Sequence, residues 1–383
     1  MNFTYVSLDP VPVTKPGAHS AKELRSHQGI PGIERSASGR LFAVWYAGGI
    51  TECRENYVMM VISDDNGATW SDAVAVIDPP HPDVRAFDST LWVAPDGRFY
   101  WFWAQGCGGK DGTWENCDGI AGVWCTVLEN PDDDPEQFRF TPPRRISNGI
   151  MMNKPTVLSD GTWALPCSVW TGDYLKHESL GVVSGAMMVV STDNGEHFEV
   201  RGRIDMSRVE GGAIFDEHMF VELRDGRIVC YIRVKKGIAE SVSCDGGRSW
   251  SLPELSKTVR GPNSRLFIRR LRSGRLLMVN NDSSVKREKM TAYLSDDDGA
   301  TWPHRLLLDA RDHDVAYPDG TEAPDGTLYL IHDFDRKNGG YILMSRITEA
   351  DILAGTPVSP DSALCLEVGH SIPVELFLEK CRK

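Results

Sequence analysis

Six positions in this chain share one spacing, and most carry side chains suited to chemistry. Each lies nine residues before the glycine of an apolar run, turn, apolar run segment: Ile30, Asp88, Met152, Glu217, Arg265 and Tyr317. Two carboxylates, a guanidinium and a phenol stand among them, the groups that move protons and hold anions. Arg233 adds a second guanidinium inside Cys-Tyr-Ile-Arg-Val, where an inward arginine needs an anionic partner. A lone tyrosine ahead of a strand is ordinarily a packing residue. Glu217 together with Arg233 and Arg287 reverses that reading for Tyr317.

These positions are set by a repeat. The segments are 33–45 around Ser38-Gly39, 91–103 around Asp96-Gly97, 156–167 around Asp160-Gly161, 220–232 around Asp225-Gly226, 267–279 around Ser273-Gly274 and 322–331 around Asp325-Gly326. Such a turn between two apolar runs predicts a β-hairpin. The glycines are 58, 64, 65, 48 and 52 residues apart, one four-stranded blade per period. A second pattern, S-x-D-x-G-x-x-(W/F), recurs at 63–70, 191–198, 243–250 and 295–302. Its Asp can bond the amides of the turn, and its aromatic can pack back onto the blade. The first and second copies are 128 residues apart, so a degraded copy is predicted at 129–138.

Six hairpins and four boxes predict an all-β, six-bladed β-propeller that occupies 1–383 as a single domain. One short helix is expected at 348–353, where Thr348 and Asp351 form a capping-box pattern, and the tail after Gly355 is expected to complete the last blade. In such a ring each blade buries its faces against its neighbours, and closure protects the edges. Equivalent residues of successive inner strands then converge on one rim of the central channel.

The formal net charge of −13 argues against nucleic acid, which needs a basic patch. It leaves room for a small anionic substrate held by converging arginines. No apolar run approaches 18 residues, so no membrane span is expected. The N-terminus has neither a basic segment nor an apolar core of signal-peptide type, which predicts a cytoplasmic protein. Nine cysteines, including Cys107, Cys117 and Cys125, show no Cys-x-x-Cys spacing and read as free thiols. The ten histidines lack metal-ligand spacing, so no metal and no cofactor are predicted. Self-association into a homo-oligomer is compatible with the sequence.

The boxes resemble the Asp boxes of the sialidase superfamily, and the resemblance extends over nearly the whole chain. Glu217 and Arg233, 16 residues apart, resemble the family's acid and following arginine. Arg287, in Arg-Glu-Lys-Met-Thr, resembles its third arginine. Tyr317, in Ala-Tyr-Pro-Asp-Gly, resembles its nucleophilic tyrosine. The resemblance implies a retaining exo-glycosidase in which Tyr317 is the nucleophile and Glu217 its base, with Arg233 and Arg287 clamping a substrate carboxylate. A neutral phenol suits such a substrate because a carboxylate nucleophile would be repelled by it. Asp88 and Glu55 are the expected general acids, with Glu52 on the same loop as the alternative to Glu55. The family's opening Arg-Ile-Pro reads Gly29-Ile30-Pro31 here. His27, Gln28, Arg35 and Arg265 are the residues predicted to compensate, and Asn153 and Lys154 are further predicted substrate contacts. The expected substrate is an oligosaccharide or glycoside with a terminal acidic sugar of the sialic or uronic type. Two other readings use the same scaffold: a lyase acting on a uronate, and a carbohydrate-binding propeller without catalysis.

Overall fold

The turns at Gly39, Gly97, Gly161, Gly226, Gly274 and Gly326 each join the first two strands of a separate antiparallel sheet. The computed structural model describes residues 6–107, 121–170, 184–213 and 215–381. Six four-stranded sheets, each built from strands consecutive in the chain, form an all-β six-bladed propeller. The first blade comprises Gln28–Arg35, Leu41–Ala47, Tyr57–Ser63 and Ala75–Ile77. The sixth comprises Val315–Glu322, Leu328–Phe334, Tyr341–Ile347 and Ala363–Gly369, so the tail does complete it.

Ring closure uses side chains rather than a strand borrowed from the other terminus. Asp333 Oδ2 accepts the Ile30 N–H at 2.8 Å, and Asp319 Oδ2 accepts the Ile33 N–H at 2.9 Å. Both carboxylates belong to the sixth blade and both amides to the first. The second strands are covered on both faces by neighbouring blades, and Leu41–Ala47 is accordingly buried at every residue. Aromatic contacts knit adjacent blades, as where Trp92 meets Trp163 edge to face at 4.8 Å.

All four boxes lie between the third and fourth strands of their blades. In the first, Asp65 Oδ1 accepts the Thr69 N–H at 2.9 Å and the Ser63 hydroxyl at 2.8 Å. Segment 129–138 holds the same place in the second blade, where Asn130 Oδ1 accepts the Arg139 N–H. In the sixth blade a helix, Glu349–Ala354, takes the position, and Asp351 accepts the amides of Val358 and Ser359. One carboxylate or carboxamide thus organises the connection between the third and fourth strands in all six blades. Cys125, Cys167 and Cys230 are buried thiols, and Cys117 lies outside the described residues. No helix among the described residues is long and apolar enough to cross a membrane.

Candidate active site

Three of the six equivalent inner-strand positions have left-handed backbone: Ile30 with φ 56°, Asp88 with φ 47° and Tyr317 with φ 55°. Each lies at a shift in the register of its hairpin, between Gly29 and Gly32, Phe87 and Thr90, and Ala316 and Asp319. A bulge at that point bends the strand and re-aims a side chain. For residues other than glycine such a conformation costs roughly 1–3 kcal/mol and persists where the surroundings enforce it. Ile30, Asp88 and Tyr317 line a small cavity of about 30 Å³ together with Met152, Glu217 and Arg233. Trp170 and Phe215, edge to face at 4.9 Å, form its aromatic wall.

Arg233 joins the two residues best placed for chemistry. Its Nη1 donates to Glu217 Oε1 at 2.5 Å and to the Tyr317 hydroxyl at 3.2 Å, while its Nε donates to Asn263 Oδ1 at 2.6 Å. Glu217 Oε2 is buried without a partner. On the other side of the phenol, Arg287 Nη2 reaches the Tyr317 hydroxyl at 3.5 Å and the Asn263 carbonyl at 3.0 Å. Among the described residues, no carboxylate lies in ion-pair contact with Arg287. The guanidinium carbons of Arg287 and Arg336 lie 5.0 and 4.7 Å from the Tyr317 ring centre.

The carboxyls around this phenol are pushed in opposite directions. Burial, with the nearby charges of Glu52 and Glu217, raises Asp88 to about 7 against the pull of Arg85. Burial would raise Glu52 as well, but Arg336 first, then Arg85 and His27, hold it below the ordinary carboxylate value. His27 is lowered to about 4 by burial and by Arg336, so its ring is neutral at physiological pH. An acid kept protonated beside one kept ionised is an arrangement for proton transfer. A larger cleft of about 220 Å³ adjoins the small cavity through Glu52 and is lined by His27, Arg287 and Arg336.

The family model described as a BNR repeat-like domain matches residues 39–330. The chain belongs to this family. This BNR propeller is 30% identical over 162 residues to a sialidase of Micromonospora viridifaciens, a match covering 39% of the chain and 24% of that relative. The chain thus spans about a quarter of the length of its curated relative. Among solved structures, it resembles a Hadza microbial sialidase at TM-score 0.63 and 19% identity, covering 81% of this chain and 64% of that one. It resembles the intramolecular trans-sialidase of Ruminococcus gnavus at TM-score 0.60 and 14% identity, covering 96% and 98%. A leech intramolecular trans-sialidase gives TM-score 0.64 at 12% identity, covering 90% and 71%. At these identities the structural likeness establishes the fold, that of a sialidase-like propeller.

Within the BNR propeller, several residues predicted to contact substrate lie elsewhere. Arg265 is buried and donates to the carbonyls of Met152, Pro31, Tyr317 and Pro318, so its guanidinium clasps the channel wall beneath the phenol. Lys154 is buried deeper along the inner strands, against Glu34, Asp319 and the carbonyls of Ile33 and Leu91. Asn153 ties the third blade to the fourth through the His218 carbonyl. Gln28 is fully enclosed between Trp45 and the Gly340 carbonyl. Arg35 lies at the far end of its strand and bonds the Ser36 carbonyl. Glu55 is exposed and faces Arg54 at 3.7 Å, whereas Glu52 enters the site. His27 borders the larger cleft, 3.2 Å from the Tyr46 hydroxyl.

Sequence reasoning missed Arg85, Arg336, Trp170 and Phe215. Arg85, which stacks on Phe87 at 3.9 Å, stands three residues before Asp88 and was within reach of the nine-residue count. Away from the rim, Asp309, His332 and Cys365 bring metal-ligating types together. Both Asp309 oxygens are already engaged there by Arg311 and His332, a closed hydrogen-bond set rather than an open coordination site.

Proposed function

We propose that this chain is an exo-acting glycoside hydrolase of the sialidase type that cleaves a terminal acidic sugar, with Tyr317 as nucleophile. The observation that carries this reading is the single Arg233 nitrogen that contacts both Glu217 and the Tyr317 hydroxyl. In the free protein that nitrogen stands between acid and phenol. A substrate carboxylate that draws Arg233 and Arg287 onto itself frees Glu217 to act as the base for the phenolic proton. The phenolate oxygen then bonds the anomeric carbon as the bond to the leaving oxygen breaks, and Asp88, protonated below about pH 7, supplies the proton to that oxygen. Water, deprotonated by Asp88, next attacks the same carbon, and the Tyr317 oxygen leaves and recovers its proton from Glu217. A neutral nucleophile suits this environment, since a substrate carboxylate beside the reacting carbon repels an anionic one.

The test is a screen of aryl glycosides that includes sialic and uronic acids, run beside Tyr317→Phe. Release of the aryl group by the native chain and its loss in the variant is the expected result. Equal turnover by both proteins overturns the assignment of Tyr317. A product with near-ultraviolet absorbance of an unsaturated sugar identifies elimination instead of hydrolysis.

A further inference from the structure

Gly29 directly precedes the left-handed Ile30 on the innermost strand of the first blade, and its own φ is not left-handed. Its backbone therefore accepts a side chain. A Cβ built there would nevertheless lie 2.1 Å from Arg336 Cδ, 2.7 Å from Arg336 Cγ and 2.8 Å from Asp333 Oδ2. The obstacle is one side chain from the sixth blade, whose stem fills the space that residue 29 leaves open.

Arg336 is held there by its loop and by its charge. It follows the strand Leu328–Phe334. The Gly340 carbonyl accepts Gln28 Nε2 at 2.7 Å, and the Gly339 carbonyl accepts the Ser371 N–H at 2.7 Å. Its Nη1 donates to Glu52 at 2.8 Å and to the Tyr46 hydroxyl at 3.1 Å, and its Nε lies 3.6 Å from Asp333. Arg85, Arg233, Arg287, Arg336 and Lys337 thus bring five positive charges to the site. Even with Glu52, Glu217, Asp314 and Asp333 all ionised, a protonated Asp88 leaves one positive charge in excess. A site so charged and partly desolvated favours an anion over a neutral ligand of the same shape.

We propose that Arg336 is a specificity-determining residue that binds the carboxylate of the sugar, supplying from the sixth blade the guanidinium that residue 29 does not supply from the first. The proposal rests on the glycosidase reading above and adds that the Gly29 and Arg336 pair sets its preference for a substrate carboxylate. Gly29 is then part of the device, because any side chain there displaces the Arg336 stem.

The test compares an aryl sialoside with its methyl ester, which keeps the shape and removes the charge. Arg336→Ala is expected to raise KM for the acid by about 100-fold and to change that for the ester by less than about threefold. Gly29→Ala, which retains every guanidinium, is expected to raise KM for the acid in the same direction. The relocation variant Gly29→Arg with Arg336→Ala is expected to recover at least about tenfold of the loss. Unchanged KM for the acid in Arg336→Ala, or equal losses on acid and ester, overturns the proposal. Calorimetric titration with free sialic acid separates it from the glycosidase reading. A native chain that binds the acid without turning over any glycoside ends that reading alone, and then weaker binding by Arg336→Ala sustains the anion site. Equal binding by both proteins, or binding by neither, ends it.

Discussion

Asp88 and Tyr317 occupy the same place in two different blades. Each stands nine residues before its hairpin glycine, at a register shift, with φ of 47° and 55°. The bulge that strains the backbone also turns both side chains into one cavity. A neutral acid and a phenol brought together in this way have separable roles, which substitution at each can resolve.

Tyr317→Phe removes an oxygen whose hydrogen bonds, among the described residues, are to Arg233 and Arg287. The ring and its contacts with the surrounding guanidiniums stay. Turnover of a responsive glycoside is expected to fall by at least about 10³-fold, the scale for loss of a nucleophile. The unfolding free energy is expected to change by no more than about 1 kcal/mol. Initial rates and urea unfolding on the same preparation check both.

Asp88 titrates near 7 in the folded chain because burial disfavours its charge, and near 4 when unfolded. Below about 4 the carboxyl is neutral in both states, so its contribution to stability is fully present. As pH rises from there through about 7, the unfolded state ionises first and roughly 4 kcal/mol is lost. Asp88→Asn stays neutral throughout. Its Tm is expected to exceed that of the native chain at pH 8, and the difference is expected to vanish near pH 4. Turnover by the native chain is expected to decline above pH 7 as the acid is lost. Thermal unfolding and rate profiles across pH 4–9 measure both effects.

Much of this site was legible because a blade is a ruler. A fixed offset from the hairpin glycine locates Asp88, Glu217 and Tyr317 without any knowledge of the loops. The same count misassigns Arg265, whose equivalent position is correct but whose long side chain turns down to four carbonyls. Lys154 is hidden for a related reason: sequence gives no sign that its ammonium meets Glu34 and Asp319 inside the channel. Arg336 lies outside the ruler altogether. Its loop is shaped by Asp335 in left-handed conformation and by the close approach of Gly340 to Gln28 and Ser371, contacts between residues more than 300 positions apart in the case of Gln28. The one local sign was Gly29 itself, a missing side chain on an inner strand.

Glu52 and Glu55 are three residues apart on one loop, and only Glu52 lines the cavity. Its charge also helps raise the Asp88 carboxyl. Glu52→Gln is therefore expected to lower the Asp88 value and move the alkaline limb of the rate profile to lower pH. Glu55→Gln is expected to leave the profile in place and stability within about 0.5 kcal/mol, as for other exposed positions. Parallel pH profiles of the two variants distinguish them.

Arg265 spans four blades from a single guanidinium: it belongs to the fifth, and it donates to Met152 of the third, Pro31 of the first and Tyr317 and Pro318 of the sixth. Those carbonyls are removed from water, and leaving buried acceptors unmatched costs about 1–3 kcal/mol each when no water replaces the donor. Arg265→Ala is expected to destabilise the chain by at least about 3 kcal/mol, with the loss visible as a lower urea midpoint. Arg265→Lys is expected to recover only part of it, because one ammonium cannot reproduce the planar fork that reaches carbonyls on opposite sides. A residue that met substrate directly would behave differently: KM would rise while the urea midpoint stayed where it was.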